Sequence, residues 1–207
     1  MSRVNLQTST VFWEGICVFR AGSDRFPAGQ HRIHSILRRR SYEALFHARN
    51  VPAEVKPKKD MVITDGQKLT LGDTTLTFYV TPGHTPGMVS MLIPLKDGSQ
   101  RHLGGLWGGL GYGNDRDGVK YFANKREMLN AYSTSAKRWQ DIETKAGVDV
   151  LVTNHTRLDK GLEKMAAVKT RKPGEPHPFV GKDAVQRFMT VINNCAEAQL
   201  AWTNSSN

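Results

Sequence analysis

The sequence predicts an α/β fold in which strands come first and helices follow. Lys68–Val80 holds two runs of alternating apolar and polar residues that turn at Gly72-Asp73, the pattern of a β-hairpin. Glu127–Lys145 repeats apolar residues at helical spacing instead. A short apolar strand pattern, Asp149–Thr153, and a second helical pattern, Asp183–Leu200, come next. Strands followed by a helix, a strand and a helix are typical of layered α/β domains.

The first quarter of the chain has a different character. Val11–Arg20 is apolar enough for a strand, and Ala21–Gln30 contains the glycines and proline of a loop. Ser35–Arg49 has the composition of a basic helix, and Pro52–Pro57 that of a linker. We therefore divide the chain into an atypical basic N-terminal segment, residues 1–55, and a main domain, residues 56–207.

Two further strands and two amphipathic helices complete the main domain. Met88–Leu95 is predicted to be a strand that ends at a Lys96-Asp97-Gly98 turn, and His102–Trp107 a strand that runs into the glycine cluster Gly108–Gly113. The first helix is expected to bury Leu129, Tyr132, Ala136, Trp139 and Ile142, and to stop at Gly147. The last helix is expected to turn inward Val185, Phe188, Met189, Ile192 and Cys195.

The most specific motif is Thr81–Gly87, which we call the His84 loop. It follows the hairpin directly and holds His84 between two Pro-Gly pairs. Proline presets one backbone angle and glycine accepts the positive φ that follows, so each pair favours a turn. A histidine fixed in this way loses little entropy when it binds a metal ion. The alternative interpretation is a capped loop whose histidine only forms a hydrogen bond.

The His84 loop resembles the "TPGHTPG" loop of the metallo-β-lactamase superfamily. Other segments match that family in the same order along the chain: the hairpin Asp65–Leu76, the strand end Leu106–Gly109, the late strand Val150–His155 and the C-terminal segment Lys172–Val180. The resemblance extends from Pro57 to Ala201 and is nearest to the third subclass of these enzymes, which like this chain lacks an aspartate after the glycine-rich strand.

The resemblance implies a metallo-β-lactamase-like αββα sandwich whose first half is shortened or replaced. It implies zinc as the cofactor and a small-molecule amide, ester or lactone as the substrate. In the family, zinc lowers the pKa of a bound water, and the resulting hydroxide attacks the carbonyl. By position, His84 matches a ligand of the first zinc ion and His155 the histidine ligand of the second.

The family's early His-x-His-x-Asp-His motif does not occur in this sequence. The nearest segment, His31-Arg32-Ile33-His34, has a different spacing and no Asp-His after it. Zinc needs three or four ligands, so His31, His34 or His47 would have to complete the site. Two interpretations remain open: a zinc-dependent hydrolase impaired by the missing motif, and a catalytically inactive truncated member of the family.

The charge distribution allows a third interpretation. The chain carries a net charge of +10, with local maxima at Arg38-Arg39-Arg40 and Lys56–Lys59. Such clusters can bind the phosphates of nucleic acid. However, aromatic residues do not alternate with these charges as they do in stacking surfaces, so a solvated basic surface is the favoured explanation.

Several single residues receive structural assignments. We expect Cys17 and Cys195 to be buried free thiols, because they are far apart and show no ligand spacing. We expect His102 on the surface and His177, between two prolines, in a structural loop. Asp159 follows His155 by four residues, and it either orients that histidine or begins a helix.

The cellular location and the assembly follow from composition and pattern. The sequence has neither an apolar run near the ~20 residues of a membrane span nor the apolar core of a signal peptide. We therefore expect a cytoplasmic protein without membrane contact. A shortened first half would leave a sheet edge and an apolar face exposed, so we also expect low solubility or a homo-oligomer.

Overall fold

The computed structural model describes residues 10–13, 16–19, 34–36, 62–112 and 120–205. Its main element is a five-stranded sheet. In their order across the sheet, the strands are β4 Lys68–Leu71, β5 Thr74–Val80, β6 Val89–Asp97, β7 Gln100–Leu106 and β8 Val150–Val152. Neighbours are antiparallel except for β7 and β8, which run parallel. That parallel pair requires a crossover, and a long helix supplies it.

Three helices are present in the described part of the chain: α1 Lys125–Ala146, α2 Gly161–Thr170 and α3 Lys182–Ser205. Helix α1 begins at Asn124, whose side chain accepts a hydrogen bond from the backbone N–H of Glu127. It ends at Gly147, which adopts a left-handed φ of 74° and returns its N–H to the helix carbonyls. The sequence prediction of this helix and its stop is therefore confirmed.

The alternation of side chains along the strands separates two cores. The core between the sheet and the helices contains Leu92, Trp107, Tyr132, Ala136, Trp139, Val148, Leu151, Val185, Met189 and Ala196. The core on the opposite sheet face contains Ile63, Leu76, Phe78, Val89, Met91 and Leu106. Because both faces of the sheet are buried, the sequence of β6 is an almost continuous run of apolar residues. The predicted α/β class is confirmed.

A separate three-stranded sheet, in the order β1-β2-β3, occupies part of the N-terminal segment. Its antiparallel strands are β1 Thr10–Trp13, β2 Ile16–Phe19 and β3 His34–Ile36. The single strand predicted over Val11–Arg20 is thus wrong, because this segment pairs with itself as a hairpin. Ser35 and Ile36, assigned to a helix, lie in β3. The rest of that helix, the linker and the boundary at residue 55 lie outside the described residues.

Two other expectations are corrected in the C-terminal half. Helix α2 was not predicted: it begins at Gly161 after Lys160 in a left-handed conformation, and its apolar residues are mostly exposed. Helix α3 was predicted, but Cys195 is exposed and the buried positions of that turn are Asn193 and Ala196. Cys17 lies in β2, and its side chain is outside the described part.

No helix in the described ranges is both long enough and apolar enough to cross a membrane.

Candidate active site

The His84 loop connects β5 to β6 and is closed by its own backbone. The N–H of Thr81 donates to the carbonyl of Met88 at 2.9 Å, where the strands separate. Within the loop, the N–H of Gly83 donates to the carbonyl of Thr85 at 3.1 Å. These bonds hold the two Pro-Gly turns together, so the loop presents His84 from a fixed backbone.

Hydrogen bonds from three buried hydroxyl groups attach the His84 loop to its neighbouring elements. Thr81 Oγ1 lies 2.8 Å from Ser90 Oγ, and the same serine oxygen accepts the N–H of Gly108 at 3.1 Å. Ser135 Oγ, on α1, donates to the carbonyl of Pro82 at 2.7 Å. The loop is therefore tied to β6, to the end of β7 and to α1. Ser90 was not identified from sequence, although a serine within the apolar run of β6 is the signal that could have revealed it.

Gly83 lies directly against Tyr132 of α1. A Cβ at this position would lie 2.6 Å from the Cα of Tyr132, so only glycine allows this approach. The Tyr132 ring in turn meets Trp107 at a centroid distance of 5.7 Å and Tyr112 at 5.0 Å. Burial raises the pKa of Tyr132 to about 12, so its hydroxyl stays neutral. The aromatic side chains of Tyr132, Trp107 and Tyr112 therefore pack together beside the His84 loop.

An ion pair between Arg138 and Asp65 fixes the end of β5, immediately before the His84 loop. Arg138 on α1 donates to both carboxylate oxygens of Asp65, at 3.0 and 2.6 Å, and to the carbonyl of Val80 at 3.0 Å. The Asp65 carboxylate also accepts the N–H of Val80 at 2.9 Å. Two-pronged arginine–carboxylate contacts are geometrically specific. They fix the last residue of β5 against the helix immediately before the His84 loop.

His84 is half-buried and is oriented by a backbone carbonyl. Its Nδ1 lies 3.1 Å from the carbonyl oxygen of Gly111. Because a carbonyl only accepts, Nδ1 carries the proton in this contact. In the neutral ring that leaves Nε2 with its lone pair, which is the form of imidazole that binds metals. The sequence contains no signal for the Gly111 contact, because any residue has a carbonyl.

His155 follows β8 at the same end of the sheet as the His84 loop. In the strand register, Leu106 pairs with Met91 near the start of β6 and with Val152 at the end of β8. Three connections therefore meet at this end: the His84 loop, the glycine cluster after β7 and the segment after β8. The His155 side chain is exposed, and its carbonyl accepts hydrogen bonds from Thr153 Oγ1 and from the N–H of Leu158.

The described residues do not complete a zinc site. No group of three His, Cys, Asp or Glu side chains suited to a metal ion occurs among them. Asp159 lies just before helix α2, where its side chain accepts the N–H of Gly161 at 2.9 Å, and its predicted role in orienting His155 stays a prediction. His31 and His47 lie outside the described ranges, as does the His34 side chain. The roles of His84 and His155 as metal ligands thus stay predictions.

His102 was placed on the surface by sequence, and this is wrong. Its side chain is only 12% exposed, and its Nδ1 lies 2.7 Å from the Asp149 carboxylate. The parallel pairing of β7 and β8 brings these residues together, and nothing local in the sequence indicates it. His177 has the expected structural role, since its Nδ1 accepts the N–H of Phe179 at 3.3 Å.

Comparison with known proteins gives a structural match only. No family model matches the chain, and no curated protein matches it. Among solved structures, the chain is similar to BJP-1, a subclass B3 metallo-β-lactamase of Bradyrhizobium japonicum, with 22% identity and a TM-score of 0.62. It is also similar to the FEZ-1 metallo-β-lactamase of Legionella gormanii, with 21% identity and a TM-score of 0.64.

These matches cover only part of each solved protein, so they support conclusions about the fold of this chain and not about its activity. The match covers 84% of this chain and 65% of BJP-1, and 83% of this chain and 66% of FEZ-1, so the chain spans just under two thirds of either solved protein. A metallo-β-lactamase of Cronobacter sakazakii matches at 22% identity, with a TM-score of 0.62. Similarity at this level establishes a fold and not a chemistry. The chain has the metallo-β-lactamase fold, and the solved structures that share it include subclass B3 enzymes.

Proposed function

We propose that the chain is a zinc-dependent hydrolase of the metallo-β-lactamase type whose activity is impaired. Its substrate is a small molecule with an amide, ester or lactone bond. His84 and His155 are its metal ligands, and the sequence lacks the His-x-His-x-Asp-His motif that would supply the others. By the resemblance these two histidines belong to different zinc ions, so each ion has one of the three or four ligands that zinc takes and is held weakly.

One observation carries this proposal: the contact of His84 Nδ1 with the carbonyl of Gly111, at 3.1 Å. Metal-binding histidines commonly donate their other ring nitrogen to a carbonyl or carboxylate, which fixes the ring and its tautomer. The three anchors beneath the loop, from Ser90, Ser135 and Arg138, hold the backbone that carries this ring.

Hydrolysis of a chromogenic cephalosporin tests the proposal. We expect slow turnover that rises with added zinc and disappears with a chelator. The variant His84→Asn should reduce the zinc-stimulated rate by about tenfold or more, because losing one metal ligand or its support commonly costs 10–100-fold. Asp73→Asn, in the exposed turn between β4 and β5, is the matched control and should keep the wild-type rate.

Two outcomes would count against the proposal. A rate that ignores both zinc and chelator would show hydrolysis without the metal. An absence of zinc-stimulated hydrolysis in the wild-type chain, with its fold intact by circular dichroism, would favour the catalytically inactive alternative.

A further inference from the structure

Helix α3 presents an apolar stripe on one of its flanks. Its buried side contributes Val185, Met189 and Ala196 to the core beneath it. The neighbouring flank contacts α1 through hydrogen bonds and an ion pair made by Gln186, Thr190, Asn193 and Glu197. Beyond these two sides, the helix exposes Val191, Cys195, Ala198 and Trp202. Steps of four, three and four residues keep side chains on one face of a helix, so these four form a single row, the α3 stripe.

The two ends of the α3 stripe are large apolar side chains that face solvent. Val191 is 59% exposed and Trp202 is 70% exposed. Cys195 and Ala198, between them, are small and also exposed. Small side chains in the middle of a helix face allow a second helix to approach to about 8 Å, and tryptophan is enriched where protein surfaces meet. The α3 stripe therefore suits contact with another helix.

The charge of the surface indicates which helix fits. From residue 188 to residue 205 the only charged residue is Glu197, and its carboxylate is paired with Lys137. Nucleic acid and anionic membranes bind where positive charge collects, and the α3 stripe offers none. The chain as a whole carries a net charge of +10. Two copies of such a chain repel each other unless they meet on nearly neutral surfaces, and the α3 stripe is one.

The order of side chains in the α3 stripe is the same from either end: large, small, small, large. When two such helices pack antiparallel about a two-fold axis, Val191 faces Trp202 of the partner subunit, and Cys195 faces Ala198 of the partner subunit. A parallel pair would instead set the two tryptophans against each other at one end, which would splay the helices. The antiparallel contact is isologous and closes on itself, so it produces a dimer.

We propose that the chain forms a symmetric antiparallel dimer through the α3 stripe, with a second copy of itself as the partner. The expectation of self-association from sequence rested on an exposed sheet edge, and this surface is a different one. One helix pair of this length buries roughly 1,000 Å² or less, which is near the lower limit for a specific complex. We therefore expect a weak dimer, half-formed at roughly 10–100 µM. The proposal does not depend on zinc or on the hydrolase activity proposed above.

Sedimentation velocity of the full chain, over about a hundredfold range of concentration around that midpoint, tests the dimer. Because salt screens the repulsion between two positively charged copies, higher salt should strengthen the association. Association through bound nucleic acid would weaken with salt instead. A chain that stays monomeric over the whole range, or an association that salt dissolves, would overturn the proposal.

A pair of matched variants locates the contact on α3. Trp202→Asp should raise the dissociation constant about tenfold or more, because buried tryptophans commonly dominate the energy of an interface. Leu162→Asp is the control, since Leu162 is 65% exposed on α2 and lies outside the α3 stripe. It should leave the dissociation constant unchanged, and circular dichroism checks that both variants keep the fold. A dimer that withstands Trp202→Asp, or that Leu162→Asp dissociates equally, would contradict the assignment.

Mixing two further variants tests the antiparallel arrangement. Val191→Lys and Trp202→Glu should each weaken the homodimer, because each change affects both ends of the contact. In a mixed dimer the new lysine and the new glutamate face each other at one end, and the native valine and tryptophan meet at the other. The mixture should therefore associate about threefold more tightly or better than either variant alone. No gain on mixing would rule out the pairing of residues 191 and 202 across the dimer.

Discussion

Replacing Glu143 by glutamine is expected to change the free energy of unfolding, relative to the wild type, by roughly 3 kcal/mol in the variant's favour between acid and neutral pH. Glu143 lies on the buried face of α1 with no exposed surface, and its carboxyl group packs against Gly105. Desolvation raises the pKa of Glu143 to about 8, against a smaller opposing effect of the Trp139 indole N–H. Glutamine has nearly the same shape as glutamate but does not ionise, so the variant has no carboxyl group whose pKa burial could raise.

The sign of the pH dependence follows from the raised pKa. Unfolding exposes Glu143 to water and returns its pKa from about 8 to the usual 4.5. Between these values the folded protein retains a proton that the unfolded chain releases, so this contribution to stability falls as the pH rises. It is fully present below pH 4.5 and lost above about pH 8. In Glu143→Gln this slope should vanish.

Urea unfolding at several pH values across this window measures the effect. Glu163→Gln is the matched control, because Glu163 is an exposed residue of α2, and it should keep the wild-type slope. If Glu143→Gln follows the wild-type curve, or if the wild-type free energy of unfolding does not fall relative to it with rising pH, Glu143 is not buried as the structure shows.

Substituting alanine for Gly108 should cost about 3 kcal/mol of stability, at the upper end of what overpacking produces. A Cβ at this position would overlap the carbonyl oxygen of Val89 and lie 2.9 Å from its carbonyl carbon. Since the obstacle is backbone within a strand, it cannot rotate away. The change would also strain the bond from the Gly108 N–H to Ser90, and with it the anchor of the His84 loop.

Denaturant unfolding again gives the measurement, with Gly181→Ala as the control. At Gly181 the nearest atom to a new Cβ is 3.9 Å away, which is ordinary contact. We expect a clear loss of stability in the first variant and a change within about 0.5 kcal/mol in the second. Equal stabilities would mean that the strand ends are not packed as closely as described.

Much of the main domain could be predicted because its signals are local. The hairpin of β4 and β5 has a glycine turn between alternating runs, and α1 has both an apolar stripe and a glycine stop. Helix α2 could not be found in this way, since its apolar residues are mostly exposed and no side chain caps its start. Periodicity reports which face is buried, so a helix without a buried face gives little signal.

In the candidate site, too, the features marked by a local sequence pattern could be predicted and those made by distant residues could not. His84 was found because two Pro-Gly pairs mark its loop in the sequence. Its partner, the Gly111 carbonyl, was not found, because it lies 27 residues further along the chain. The pairing of His102 with Asp149 has the same origin, 47 residues apart in the chain. Glu143 is different: it continues the spacing of Tyr132, Ala136 and Trp139, which could have indicated its burial.

Elemental analysis of the purified chain, after dialysis against metal-free buffer, shows whether its zinc is held weakly. We expect less than about one zinc ion per chain, because His84 and His155 fall short of the three or four ligands that tight binding requires. Longer dialysis should lower the zinc content further, and His84→Asn should hold less zinc than the wild type after the same dialysis. Two tightly held zinc ions per chain, unchanged in that variant, would show that the metal site is complete and does not depend on His84.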